Sequence, residues 1–147
     1  MITKKIPRLK QQSSPKMSDA SPTNLLHIYC KDIENWPARW EIVKEDLAIG
    51  QAITEQFKLF LLDRIKKGRT KKTVKNCADL LWVLGGELIR SINEDYDERQ
   101  LSANDLILKH IDDSGGPYWR HARDEIEHAK YDSVCKQFFK FITTDFN

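Results

Sequence analysis

No stretch of this chain is both long enough and apolar enough to cross a bilayer as a helix. The longest apolar candidates, at residues 57–62 and 80–86, are short, and the first carries Lys58. The N-terminus lacks the apolar stretch of a secretory signal. Cysteine is scarce: Cys30, Cys77 and Cys135 are an odd number with no C-x-x-C spacing, so neither a disulfide framework nor a zinc site is expected. They read as reduced residues of a cytoplasmic protein, Cys77 and Cys135 falling on apolar helix faces. No G-x-S-x-G, G-x-x-x-x-G-K-[ST] or G-x-G-x-x-G occurs, and no hydrolytic triad can be assembled. The chain is therefore expected to be non-enzymatic, with no cofactor and no metal. No convincing pair of strands occurs anywhere.

What is present suits a helical core. The 147 residues are enough for one domain, and 40% hydrophobic content with 10% aromatic is enough to fill it. The net charge of +2 hides an asymmetry. Residues 1–24 carry Lys4, Lys5, Arg8, Lys10 and Lys16 against Asp19, a net of +4, so the rest of the chain carries −2. Any nucleic-acid surface on the body must then be a local patch. With three prolines and few apolar residues, 1–24 reads as a disordered leader, and its charges either add non-specific attraction to phosphate or are simply solvated. Either Met1 or Met17 reads as a start.

Residues 25–147 read as the helical domain. LLHIY at 25–29 is either an extended segment or a turn of helix. Pro37, followed by Trp40, Val43 and Leu47, predicts a short helix over about 37–46, ending near Gly50. Ile53, Phe57, Phe60, Leu61 and Ile65 form one apolar face of a helix over about 51–67, stopped by Gly68. Thr70 is the expected N-cap of a third helix over 71–93, with Val74, Cys77, Ala78, Leu81, Leu84, Gly85, Leu88 and Ile92 inward. Gly85-Gly86 in mid-helix implies close approach by another helix, or a kink. An acidic loop at 93–100 leads to a capping box, with Ser102 as cap, Asp105 opposite it and Leu101 stapled to Leu106. Leu106, Ile107, His110 and Ile111 are its inward face. A final helix is expected from about Trp119 to 143, with Ala122, Ile126, Ala129, Tyr131, Val134, Cys135, Phe138 and Ile142 inward. The expectation is an all-α, single-domain bundle of four main helices plus a short N-terminal one.

One run carries a functional signal. Lys66, Lys67, Arg69, Lys71, Lys72 and Lys75 place six positive charges in ten residues with no acid between them. They lead into the N-terminus of the third helix, where cations oppose the helix dipole and repel one another. A bound phosphate relieves both effects and uses the free backbone N–H groups. The other reading is a solvated turn.

In order, residues 57–65 (FKLFLLDRI), the turn 68–74 (GRTKKTV), LSAND at 101–105 and YDSVCKQFFKFI at 131–142 resemble the N-terminal core-binding domain of tyrosine recombinases and phage integrases. The resemblance covers roughly residues 51–143. It implies a SAM-like helical fold that contacts DNA through the basic turn and the adjoining helix start. The matching positions are Lys71 and Lys72, with Arg69 and Lys75. The pattern departs at Cys77, where the family often has Tyr, and at 112–121 (DDSGGPYWRH), which has no place in it. The family's catalytic Arg, His-x-x-Arg and tyrosine nucleophile have no counterpart here, so strand transfer is not expected.

Two other clusters stand out. His121, Glu125 and His128 fall at i, i+4, i+7 of one predicted helix face, and Glu125–His128 has Glu-x-x-His spacing, but there is no second copy for a di-metal site. They read as the polar side of a helix facing water. Tyr118-Trp119-Arg120-His121 could stack bases or fill a partner's groove, or be a turn anchored by Trp119. Trp36, Trp40 and Trp82 read as core or seam residues. The resulting expectation is a non-catalytic DNA-binding domain, an accessory or degenerate product of a mobile element, with phosphates held by residues 66–75. The alternative is a helical protein-interaction or homodimerisation module.

Overall fold

Thr70 begins the longest helix as its sequence predicts: its backbone is extended and its Oγ1 accepts a hydrogen bond from the Thr73 N–H at 3.1 Å. In the computed structural model, which describes residues 22–144, the elements in chain order are α1 (Pro22–Tyr29), a 3₁₀ turn (Ile33–Asn35), α2 (Trp36–Trp40) and α3 (Asp46–Lys66). They continue with α4 (Lys71–Glu94), a second 3₁₀ turn (Tyr96–Gln100), α5 (Ala103–His110) and α6 (Glu125–Thr144). No strand occurs among the described residues, and the architecture is an all-α bundle. The leader expected over 1–24 lies mostly outside the described residues. Its boundary moves, because α1 starts at Pro22 and buries Leu26.

The first predicted helix is shorter than its pattern and the second longer. The Asp46 carboxylate accepts hydrogen bonds from the Ile42 and Val43 N–H groups, both at 2.9 Å. Those donors can no longer extend α2, so it ends at Trp40 and α3 starts afresh at Asp46. Asn93 and Arg99 also reach this carboxylate, at 3.0 Å each. Burial pushes the Asp46 pKa up, but these bonds outweigh burial and hold it below the usual carboxylate value. Gly50 is not a stop. It lies buried inside α3, where a Cβ would stand 3.2 Å from that of Pro37.

The core forms along α3, α4 and α6. Ile53, Phe57, Phe60 and Leu61 of α3 meet the predicted stripe of α4, from Val74 through Leu81 and Leu88 to Ile92, and all are buried. Phe138 of α6 packs edge-on to Phe57 at 5.3 Å and beside Phe60 at 5.4 Å; Trp40 continues the aromatic chain on the far side of Phe57 at 6.2 Å. Each such pair adds about 0.5–1.5 kcal/mol beyond its area burial. Gly85 is indeed a point of close approach, but the visitor is the Trp40 ring from short α2. Helix α4 continues through it to Glu94.

The later elements correct two expectations. Ser102 caps α5 by accepting from the Asp105 N–H at 3.1 Å. Among the described residues Asp105 does not return the bond; its side chain is one methylene shorter than the Glu of a full capping box. Helix α6 starts at Glu125, not near Trp119. The Asp124 carboxylate, accepting from the Glu127 N–H at 2.8 Å, sets that start. Ile126 and Ala129 are exposed as a result, and burial begins only at Tyr131.

Candidate nucleic-acid interface

The basic turn is a helix stop joined to a helix start. Gly68 has φ +83°, the left-handed conformation that glycine adopts without strain. Around it the Arg69 N–H donates to the Arg64 carbonyl at 3.1 Å and the Gly68 N–H to Ile65 at 3.0 Å, a Schellman closure of α3. Two residues later Thr70 caps α4. The chain therefore reverses within a few residues, and all six cations of the run lie on the outside.

Opposite this turn stands α6, and a groove of about 700 Å³ lies between them. One wall is Gly68, Arg69, Thr70, Thr73 and Asn76, and the other is Lys130, Ser133 and Gln137. Its floor is apolar, made by Val74, Cys77, Leu80 and Val134. A second hollow of about 360 Å³ adds Lys67, Lys140 and Thr144, and shares Arg64, Arg69 and Gln137 with the first. Arg64, Lys67, Arg69, Lys130 and Lys140 thus line the pair of hollows, and no carboxylate does among the described residues.

Arg64 stands at the junction. Its guanidinium lies 4.9 Å over the Phe60 ring, donates to Asp63 at 3.1 Å and points weakly at Gln137 at 3.4 Å. Its buried Nε has no acceptor among the described residues. Lys67 also pairs with Asp63, at 3.2 Å. Arg69, Lys130 and Lys140 have no ion pair among the described residues.

The six residues singled out from the sequence divide. Arg69 and Lys67 line the groove. Lys71 and Lys72 are exposed on the first turn of α4, without an ion pair among the described residues and directly after the groove residue Thr70. Lys75 sits 3.9 Å from Asp79, and Lys66 is exposed on the last turn of α3. Sequence reasoning missed Arg64, Lys130 and Lys140. Lys130, Ser133, Gln137 and Lys140 recur at i, i+3, i+7, i+10, a readable polar stripe, but nothing local says that it faces the turn.

A second polar cluster surrounds buried Glu98, which takes hydrogen bonds from Ser91, His110 and Lys109. Ser91 and Glu98 both meet the same ring nitrogen of His110, Nε2, at 3.2 and 2.9 Å. A nucleophile relay needs them on opposite nitrogens, so this set anchors the 3₁₀ turn and does not activate Ser91. Burial pushes the Glu98 pKa up, but Lys109, Ser91 and His110 outweigh burial and bring it down to about 2.

The third cluster is not the helix face read from the sequence. His121 is exposed and lies outside α6. His128 instead accepts the Trp119 N–H at Nε2 and donates from Nδ1 to Asp132, both at 3.1 Å. Asp132 in turn accepts the Gly116 N–H at 3.2 Å. Trp119 stacks beside Tyr131 at 5.6 Å, which supports the anchored-turn reading, while Tyr118 lies exposed on the His128 ring at 5.1 Å. Among the described residues no three of His, Cys, Asp or Glu form a metal-ligating group, and no helix is long and apolar enough to cross a membrane.

No protein-family model matches this chain, and neither a curated protein nor a solved structure matches it.

Proposed function

We propose that this chain is a non-catalytic DNA-binding domain that holds the phosphate backbone along the turn between α3 and α4 and the facing side of α6. The observation that carries this reading is the double hollow lined by five cations and no carboxylate among the described residues. On a body of net negative charge, such concentration of one sign gives a local field that attracts polyanions. Hydroxyl and amide groups on Thr73, Asn76, Ser133 and Gln137 supply neutral donors for phosphate oxygens between the cations. Lys71 and Lys72 extend the track along the start of α4, where backbone N–H groups also face out.

The SAM-like topology and kinship with integrase core-binding domains belong to this reading. The basic turn, the long helix after it and the LSAND helix start stand in the order that the resemblance implies. A reducing compartment, the cytoplasm, suits three buried free thiols. A place beside a mobile-element recombinase would follow. The test is duplex DNA binding by the wild type and by Lys71→Glu/Lys72→Glu across a salt series. Binding that weakens in the double variant and falls with salt supports the reading; wild-type affinity in the variant removes the basic turn from it. Assembly above a monomer that is unaffected by the charge changes, without DNA binding, would favour a protein-interaction module instead.

A further inference from the structure

From the shape of the groove, and resting on the nucleic-acid reading above, we infer that it takes one unpaired nucleotide of a strand, with the base in the larger hollow and its phosphate in the smaller. The two hollows differ in chemistry. The larger has the apolar floor of Val74, Cys77, Leu80 and Val134, and the amides of Asn76 and Gln137 on opposite walls. The smaller is cationic, with Arg64, Lys67, Arg69 and Lys140 around it. Arg64 and Arg69 stand where the two meet. A nucleotide has this same division: a flat apolar face with a hydrogen-bonding edge at one end, and a phosphate at the other. A volume of about 700 Å³ falls within the range of about 300–1,000 Å³ usual for sites that enclose a small molecule.

A base pair within a duplex cannot enter such a hollow, because both bases are held in the stack; a base at a frayed end, gap or single strand can. The amide groups on the rim carry both donors and acceptors, so they can meet the edge of any base. A strand is favoured over a free nucleotide by the cations outside the hollows. Lys71 and Lys72 follow the groove residue Thr70 directly, and they supply charge for phosphates on either side of the inserted nucleotide.

The test uses the full chain and fluorescence anisotropy with a labelled single-stranded oligonucleotide, the same sequence as a blunt duplex, and a nucleoside monophosphate as competitor. Asn76 and Ser133 are exposed rim residues, so Asn76→Trp and Ser133→Trp fill the hollow without entering the core, and a thermal melt verifies their fold. The expected result is single-strand affinity about tenfold above duplex affinity, with that preference lost in either variant. Equal affinity for strand and duplex, with the Trp variants neutral, overturns the nucleotide pocket and leaves the backbone reading standing. Failure of the wild type to bind either form overturns both. A nucleoside monophosphate that binds as tightly as the oligonucleotide overturns the strand assignment in favour of a free-nucleotide site.

Discussion

The indole of Trp40 occupies the space in which a side chain on Gly85 would begin. A Cβ built there would overlap the ring, and the ring is fixed by a 3.1 Å hydrogen bond from its Nε1 to the Trp82 carbonyl. Gly85→Ala is therefore expected to destabilise the fold by about 1–3 kcal/mol, the usual cost of overpacking, even though alanine favours a helix. Gly86→Ala is the control. Its added Cβ would meet Trp40 only at 3.6 Å, an ordinary contact, so a gain of up to about 1 kcal/mol is expected. Urea melts of the two variants should move in opposite directions. If both gain stability, the close approach of Trp40 is wrong.

A charge reversal on α6 should weaken DNA binding as much as one on the basic turn. Lys130→Glu/Lys140→Glu alters residues of α6, which enters the proposed interface only through tertiary packing. Its expected effect matches that of Lys71→Glu/Lys72→Glu. The slope of log K against log salt should become shallower by roughly 0.9 for each phosphate no longer neutralised. Exposed Lys44, in the loop before α3, serves as a control whose reversal should do little. An effect confined to the α4 pair would restrict the interface to the turn itself.

Glu98 makes stability depend on pH in a defined direction. Its folded-state pKa of about 2 lies below the unfolded value of about 4.3. Its contribution is then fully present above the unfolded value and is lost as pH falls from there toward about 2. Glu98→Gln should lower the urea midpoint at pH 6 and flatten the acid limb between these values. Wild-type and variant curves that stay parallel through that window would count against the cluster.

The segment between α5 and α6 hangs on His128 and Asp132. Removing either acceptor leaves the Trp119 or Gly116 N–H without its partner, so His128→Ala and Asp132→Ala should each speed trypsin cleavage at Arg120 and Arg123. Helix α6 itself should persist, because its core contacts lie further on at Tyr131 and Phe138. Cleavage at the wild-type rate in both variants would show that the Trp119–Tyr131 contact suffices alone.

The three thiols should be silent in the native state. Burial is the leading cause that pushes Cys30, Cys77 and Cys135 each up to about 12, and all three side chains are almost wholly enclosed. A disulfide reagent at pH 8 should titrate them only after a denaturant is added. Rapid reaction of one thiol in the folded protein would mark an opening of the groove floor at Cys77, or a looser packing at the other two.

The sequence by itself determined the all-α class, the stripes of α3 and α4, the Thr70 and Ser102 caps and the stop at Gly68. These are local properties: apolar period, capping oxygens and glycine φ are carried within a few residues of one another. Two of its errors fell where a distant side chain overrules a local pattern. The Asp46 carboxylate, tied to Asn93 and Arg99 far along the chain, ends α2 early, and Gly50 serves Pro37 instead of a stop. The same division runs through the proposed site. Six cations in ten residues were legible because they are consecutive. That Arg64, Lys130 and Lys140 join Lys67 and Arg69 around one groove was decided only by α6 packing beside α3 and α4, and that docking depends on Phe57, Phe60 and Phe138 meeting in the core.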